Sequence, residues 1–304
     1  MIKNIKLGED NMDEAINTYI RNQVLLRPSK LNEDLRENDI KFVPRSDYNS
    51  IIRYVDDFLK GNNLNRYLVL PGIRDVGKTT ILFQVYEYLL KERNISPQNI
   101  LYISCDRLKK IGNEDILDCV SLYLDMFHNA ILETVDKPIF LLIDEAQYDK
   151  QWSLTGKLIF DASKNIFMIF SGSSALKLSY NADSARRLLN IPIYPLTYCE
   201  HLKLKYGYFK NNVSDSINQI IFDGKIEDDG KIESSILNIH AGFPKYDPLE
   251  WINFLQFGGF PSAFHQNNAE TSKKIVDMVN KVVTMDLDNI NEDSKYIAFN
   301  LLYF

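Results

Sequence analysis

The sequence predicts an α/β fold: a parallel sheet with helices on both faces. Two observations carry that reading. Four short runs are apolar almost end to end, Tyr67–Leu70, Asn99–Ile103, Pro138–Ile143 and Ile166–Phe170. Between them lie longer stretches whose apolar residues recur at helical spacing. Strands covered on both faces read as continuous apolar runs rather than alternating ones, and their regular exchange with amphipathic helices indicates crossover connections in one sheet. A third observation fixes where the chemistry should lie: a glycine-bearing turn joins the first run to the first long helix.

Ahead of the sheet, residues 1–39 are charge-rich, with Ile16, Ile20 and Val24 on one helical stripe. The expected helix ends near Pro28, because a proline disfavours helical backbone at the residue before it. Ile51, Ile52, Val55, Phe58 and Leu59 mark a second helix, closed by Gly61-Asn62-Asn63. After the Tyr67–Leu70 strand a helix is expected over about 78–91 through Ile81, Leu82, Val85, Leu89 and Leu90. The second strand leads to a helix over 114–134, striped by Ile116, Leu117, Val120, Leu124, Phe127 and Ile131. The third strand leads to a helix over about 152–162, the fourth strand follows, and Ile191–Tyr194 is a candidate fifth. Residues 211–235, rich in Asn, Ser, Asp and Gly, read as an exposed excursion. Helical spacing returns around Ile275, Met278, Val279, Val282 and Val283, and the apolar run Ala298–Phe304, with no stop chemistry, reads as a truncated or docked end. The expected division is a helical extension over 1–39, a core over 40–204, and a helical lid or linker region over 205–304.

Composition narrows the function classes. Of the 304 residues 45% are hydrophobic and 25% charged, ordinary values for a globular chain able to form a core. No apolar stretch reaches the roughly 18 residues of a membrane span, and the opening Met1–Lys6 lacks a signal-peptide pattern. A cytoplasmic protein is the expectation. The net charge of −6 speaks against a general nucleic-acid-coating role; Lys203, Lys205, Lys210, Lys273 and Lys274 are small local patches at most. Cys105, Cys119 and Cys199 form no C-x-x-C pair and suit no closed disulfide framework. The four histidines have no ligand spacing.

Chemistry concentrates in two places. Gly72-Ile73-Arg74-Asp75-Val76-Gly77-Lys78-Thr79 matches G-x-x-x-x-G-K-T, followed by Thr80. Such a loop wraps backbone N–H groups around phosphate oxygens, the following helix adds its positive end, Lys78 reaches the β- and γ-phosphates, and the Thr79 hydroxyl ligates Mg²⁺. Phe140–Ile143 followed by Asp144-Glu145 is an apolar strand ending in two acids. Asp144 is placed to hold Mg²⁺ through water beside Thr79, and Glu145 to orient or deprotonate an attacking water. Ser171, at the end of the fourth strand, is a candidate γ-phosphate contact, or else part of a turn capping the next helix. Arg186-Arg187 offers a charge for phosphoryl transfer, or else a solvated helix face. Arg74 is read as facing either phosphate or a partner.

Gly72–Thr80, then Leu141–Tyr148 with Trp152, then Phe170–Ser174, resemble the AAA+ P-loop ATPases of prokaryotes. Pro195–Leu202 and Phe257-Gly258-Gly259-Phe260-Pro261 resemble segments of the branch that carries a C-terminal domain of unknown function. The resemblance runs from about Pro44 to about Asn289, and by it the region over 205–304 is expected to lead to a truncated further domain. It implies ATP and Mg²⁺, a P-loop sheet of the additional-strand type with order 5-1-4-3-2, a catalytic glutamate at Glu145, and an arginine at Arg187 where the branch often has a Gly-Arg pair; here Arg186 replaces that glycine. The functions in view are an ATPase driving a conformational change in an attached or partner module, a slow ATP-binding switch, and a small-molecule kinase, which would need an acceptor pocket and a mobile lid that the sequence does not display. An unknown protein partner or self-association is expected.

Overall fold

A computed structural model describes residues 2–37, 40–112, 115–172, 186–206, 249–257, 259–265 and 268–281. Its centre is a five-stranded parallel sheet. In chain order the elements are helices α1 (Ile2–Leu25) and α2 (Arg27–Asp34), a small hairpin of β1 (Arg36–Glu37) and β2 (Ile40–Lys41), and helix α3 (Ser46–Leu59). The sheet and its crossovers follow: β3 (Tyr67–Pro71), α4 (Lys78–Lys91), β4 (Ile100–Ser104), α5 (Cys105–Gly112), α6 (Ile116–His128), β5 (Ile139–Asp144), α7 (Trp152–Ala162), β6 (Ile166–Gly172) and β7 (Leu189–Asn190). The spatial order is β4-β5-β6-β3-β7, every pairing parallel. Counted from the strand before the glycine loop, that is the expected 5-1-4-3-2.

Every residue of β3, β4, β5 and β6 is buried, as continuous apolar strands require. Alternate side chains divide between two layers. Tyr67, Val69, Leu101, Ile103, Leu141, Met168 and Phe170 pack with α1, α6 and α7 residues in one cluster. Phe140 and Phe167 turn the other way, toward Phe58 of α3, with ring centroids 5.6 and 5.4 Å away. The register aligns Leu70 with Ser171, Ser104 with Asp144, and Ile143 with Phe170. Asp144 and Ser171 therefore share the carboxyl edge of the sheet, where the loop after Pro71 also emerges.

Several boundaries depart from the sequence expectation. The N-terminal helix is longer than expected and ends at Leu25, while Pro28 lies in the first turn of α2. A proline there forfeits no hydrogen bond, since first-turn N–H groups have no partner within the helix. The single helix expected over 114–134 is a shorter α6, capped at its start by the Asp115 side chain and stopped by Asn129 at φ 47°; α5, a separate short helix, precedes it. The fifth strand is registered at 189–190, and its hydrogen bonding continues as Ile191 and Ile193 N–H groups donate to the carbonyls of Val69 and Pro71 at 2.8 and 2.7 Å. The polar excursion over 211–235 and the apolar end at 298–304 lie outside the described residues.

The chain divides into two compact units, Met1–Tyr194 with Lys273–Phe304, and Pro195–Ser272. In the second, α8 (Tyr198–Tyr206) and α9 (Glu250–Phe257) are joined through a fully buried Glu250. Its carboxylate accepts from Lys205 Nζ at 2.9 Å on both oxygens, from the Tyr206 hydroxyl, and pairs with His201 Nε2. The Leu196 N–H donates to the Gly259 carbonyl at 2.8 Å, so the two segments that carry the branch resemblance are bonded to each other. A helix α10 (Asn268–Lys281) follows.

Two outcomes are expected. In α7, a Cβ on Gly156 would lie 2.2 Å from the Tyr67 hydroxyl and 2.4 Å from Cζ, so Gly156→Ala should cost about 1–3 kcal/mol by overpacking. A fall in the urea midpoint checks this; an unchanged midpoint would mean that α7 shifts freely. Burial pushes the Glu250 carboxyl up, but Tyr206, His201 and Lys205 outweigh it and hold it below the ordinary carboxylate range. The stabilisation is therefore complete above the unfolded value of about 4.3 and is lost as pH falls through the lowered folded value. Glu250→Gln should raise amide exchange across 198–206 and 250–257 at neutral pH and leave β3–β6 protected.

Candidate active site

The glycine loop gains its shape from three sources. Gly72 follows the strand and its N–H donates to the Gly172 carbonyl at 3.2 Å. A Cβ there would stand 2.4 Å from the Ile193 carbonyl oxygen, a backbone atom that cannot swing aside. Gly77, at φ 93°, and Asp75, at φ 63°, turn the backbone through left-handed conformations between strand and helix. Val76 is buried beneath the loop, and its carbonyl accepts from Nη1 of the buried Arg45 at 2.7 Å. Ile73 and Asp75 are exposed, Arg74 and Thr80 half-buried.

Lys78, the first residue of α4, lies across the loop and donates to the carbonyls of Gly72 and Ile73 at 2.8 and 2.7 Å. Burial pulls its ammonium below the ordinary lysine value, against the opposing pull of Glu145 and Asp144. Thr79 Oγ1 donates to Asp144 Oδ2 at 2.7 Å, bringing both expected metal-binding residues into contact. Asp144 accepts three more bonds: from the Tyr102 hydroxyl on Oδ2 at 3.0 Å, from the Glu145 N–H on Oδ1 at 3.1 Å, and from the Ser171 hydroxyl on Oδ1. An uncharged hydroxyl and a carboxylate, with few further protein ligands, suit a hard oxygen-seeking cation such as Mg²⁺, which keeps waters and takes its remaining ligands from substrate phosphates. Among the described residues no cluster of three or more His, Cys, Asp or Glu offers an all-protein metal cage.

Glu145 follows directly, at φ 54°, a left-handed backbone that is uncommon outside glycine and that aims its side chain away from the strand's own alternation. Its carboxylate accepts from the Gln147 amide. Burial, and then the neighbouring Asp144 charge, push it above the ordinary range, while Gln147 and Lys78 pull the other way. Ser171 is fully buried and spends its hydroxyl on Asp144, so it reaches the site through that carboxylate.

Arg187 is not brought to this cluster. It precedes β7, whose Leu189 pairs with Leu68 near the amino end of β3, and its Nε bonds Asp161 at the end of α7 at 2.6 Å. That places it at the amino edge of the sheet, opposite the loop. Sequence reading missed Tyr102, Arg45 and Gln147. A signal for Tyr102 existed: its register partner Leu142 is two residues from Asp144, so both side chains leave the same sheet face. Nothing local marked Arg45 or Gln147.

Residues 64–202 match the model of a family described as an AAA domain. The uncharacterized protein MJ1637 of Methanocaldococcus jannaschii is 32% identical over 294 residues, which cover 95% of this chain and 57% of that one. An uncharacterized protein of Haemophilus influenzae is 28% identical over 54% of this chain and 38% of its own length. The chain thus spans less than two thirds of these relatives. Among solved structures, the chain is similar to AMPPCP-bound DnaA from Aquifex aeolicus (TM-score 0.35, 15% identity, covering 86% of this chain and 89% of that one) and to the Thermotoga maritima RuvB branch migration motor (0.39, 14%, 86% and 70%).

Two substitutions separate loop shape from loop chemistry. Gly72→Ala should lower both melting temperature and nucleotide affinity, because the Ile193 carbonyl must move; Lys78→Ala should abolish nucleotide binding with a smaller fall in melting temperature, from its two lost loop hydrogen bonds. Equal melting losses in both would contradict the separation.

The matched segment, the strand order and the convergence of loop and acidic strand end together give this chain a P-loop fold with a likeness to an AAA domain over residues 64–202.

Proposed function

We propose that the chain binds ATP with Mg²⁺ and hydrolyses it, and that turnover drives a conformational change in an attached module or a partner. The observation that carries this is the meeting of Thr79, Asp144 and Glu145 at the carboxyl edge of the sheet, beside a loop whose lysine already points along it. Residues 72–80 would hold the phosphates: loop N–H groups and the amino end of α4 face the negative charge, and Lys78 exchanges its two loop carbonyls for phosphate oxygens. Thr79 and Asp144 would hold Mg²⁺, which draws charge from the phosphates as the terminal bond breaks. Glu145, raised by burial, is suited to orient a water in line with that bond and accept its proton. Ser171 fixes the Asp144 carboxylate. Arg187, at the far edge of the sheet, takes no part within its own chain and is available only toward a second copy.

A second reading, a slow-hydrolysing switch that controls partner docking, is favoured by one detail. Glu145 is held by Gln147 and Lys78 by two of the loop's own carbonyls, so three hydrogen bonds must be released before turnover. Self-association or a protein partner fits either reading; nucleic acid stays a possible partner, though the acidic net charge speaks against a general coating role. Among the described residues no helix is long and apolar enough to cross a membrane, and we propose that the protein works in the cytoplasm.

Glu145→Gln should keep ATP affinity and lower the single-turnover rate by about 10²–10⁴-fold, the usual contribution of a positioned base. Radiolabelled γ-phosphate release checks it. Equal slow rates in wild type and variant, with intact ATP binding, would select the switch.

A further inference from the structure

We infer that Tyr102 is a positioning residue for the metal-binding carboxylate, and that Arg27 ties it to the N-terminal helices, so that α1 and α2 set how tightly the site holds its divalent cation. The inference rests on the ATP–Mg²⁺ reading above. Its first support is geometric. Tyr102 and Thr79 donate to the same oxygen, Asp144 Oδ2, at 3.0 and 2.7 Å. Thr79 approaches from α4 and Tyr102 from the adjacent strand β4, so together they fix the carboxylate plane. Oδ1 is fixed separately by Ser171 and by the Glu145 N–H. A donor bound to a carboxylate forms one of the stronger classes of hydrogen bond, and outer groups that orient metal ligands carry a large share of metal affinity.

The second support is what lies behind the phenol. Its ring packs on Phe83 of α4, centroids 5.0 Å apart. The Arg27 guanidinium, at the start of α2, stands 3.9 Å from the Phe83 centroid and 4.9 Å from that of Tyr102. Arg27 is buried and anchored to Asp34 at 2.8 Å. A cation over two aromatic faces, removed from water, is a directional contact, and here it fixes the ring that delivers the hydroxyl. The same helices reach the strand end a second time. The Tyr19 hydroxyl of α1 accepts the Ser104 N–H at 2.9 Å, and Ser104 is the register partner of Asp144. A tyrosine needed only to fill space would be equally served by phenylalanine. The hydroxyl is buried at a cost that a partner must offset, and the partner is the metal-binding carboxylate.

The test uses Mn²⁺ as the probe, followed by electron paramagnetic resonance on the full chain with saturating ADP. Fluorescent ADP binding in EDTA and thermal melting are run alongside. Tyr102→Phe should weaken Mn²⁺ binding about 10-fold or more, leave metal-free nucleotide binding unchanged and lower the melting temperature only modestly, since three donors still hold Asp144. Arg27→Met should weaken it in the same direction by less, and Arg27→Lys should recover part of the loss. Unchanged Mn²⁺ binding in Tyr102→Phe would overturn the positioning role. A loss in Tyr102→Phe with none in Arg27→Met would overturn the link to the N-terminal helices. If the wild type bound Mn²⁺ no better with ADP than without, the nucleotide-site reading would fail first, which the wild-type titration alone reveals.

Discussion

The Asp144 carboxylate is the point on which the site depends. Four donors converge on two oxygens: Thr79 from the helix after the glycine loop, Tyr102 from one neighbouring strand, Ser171 from the other, and the N–H of Glu145 from its own chain. A charge buried to this depth is tolerated because it is so fully bonded. The convergence itself is a product of register. Parallel pairing in the order β4-β5-β6-β3 brings four strand ends to one edge, and shared side-chain parity points Tyr102, Asp144 and Ser171 to one face. Displacing any one strand by a residue would turn its contribution to the opposite layer.

Around that centre the molecule divides its work by sheet face. The layer with α3 and α4 carries the chemistry, since α4 both opens with Lys78-Thr79 and packs on the side that holds Asp144. The layer with α1, α6 and α7 carries most of the apolar mass, including the Tyr67–Phe170–Trp152 stack. The N-terminal helices bridge the two layers around the β4 edge. α1 packs on β4, α5 and α6, and α2 packs on α4. An exposed strand edge is a liability in any sheet, and covering it also brings Arg27 and Tyr19 within one side chain of the strand end beside Asp144.

How much of this was legible before the structure follows from the range of each signal. The four buried strands and the 78–91 and 152–162 helices were readable because periodicity and loop chemistry are local. The Thr79–Asp144 pairing was readable because both motifs are tied to strand ends, and strand ends align in a parallel sheet. Arg45 and Gln147 were not readable, since their roles depend on which carbonyl or carboxylate the fold brings near. Arg187 was legible as a charge available for phosphoryl transfer, but its position was not, since that follows from the β3–β7 register, which no local pattern displays.

Gly72 has two separate reasons to be glycine. One is the phosphate-loop geometry; the other is the Ile193 carbonyl pressed against it from the sheet's edge chain. The second would persist in a descendant that had lost all nucleotide chemistry. In judging whether a related chain is still a working site or a silent scaffold, a glycine at this position therefore carries little weight. Lys78 and Thr79, whose side chains serve no packing demand of that kind, are the residues whose loss or retention is informative.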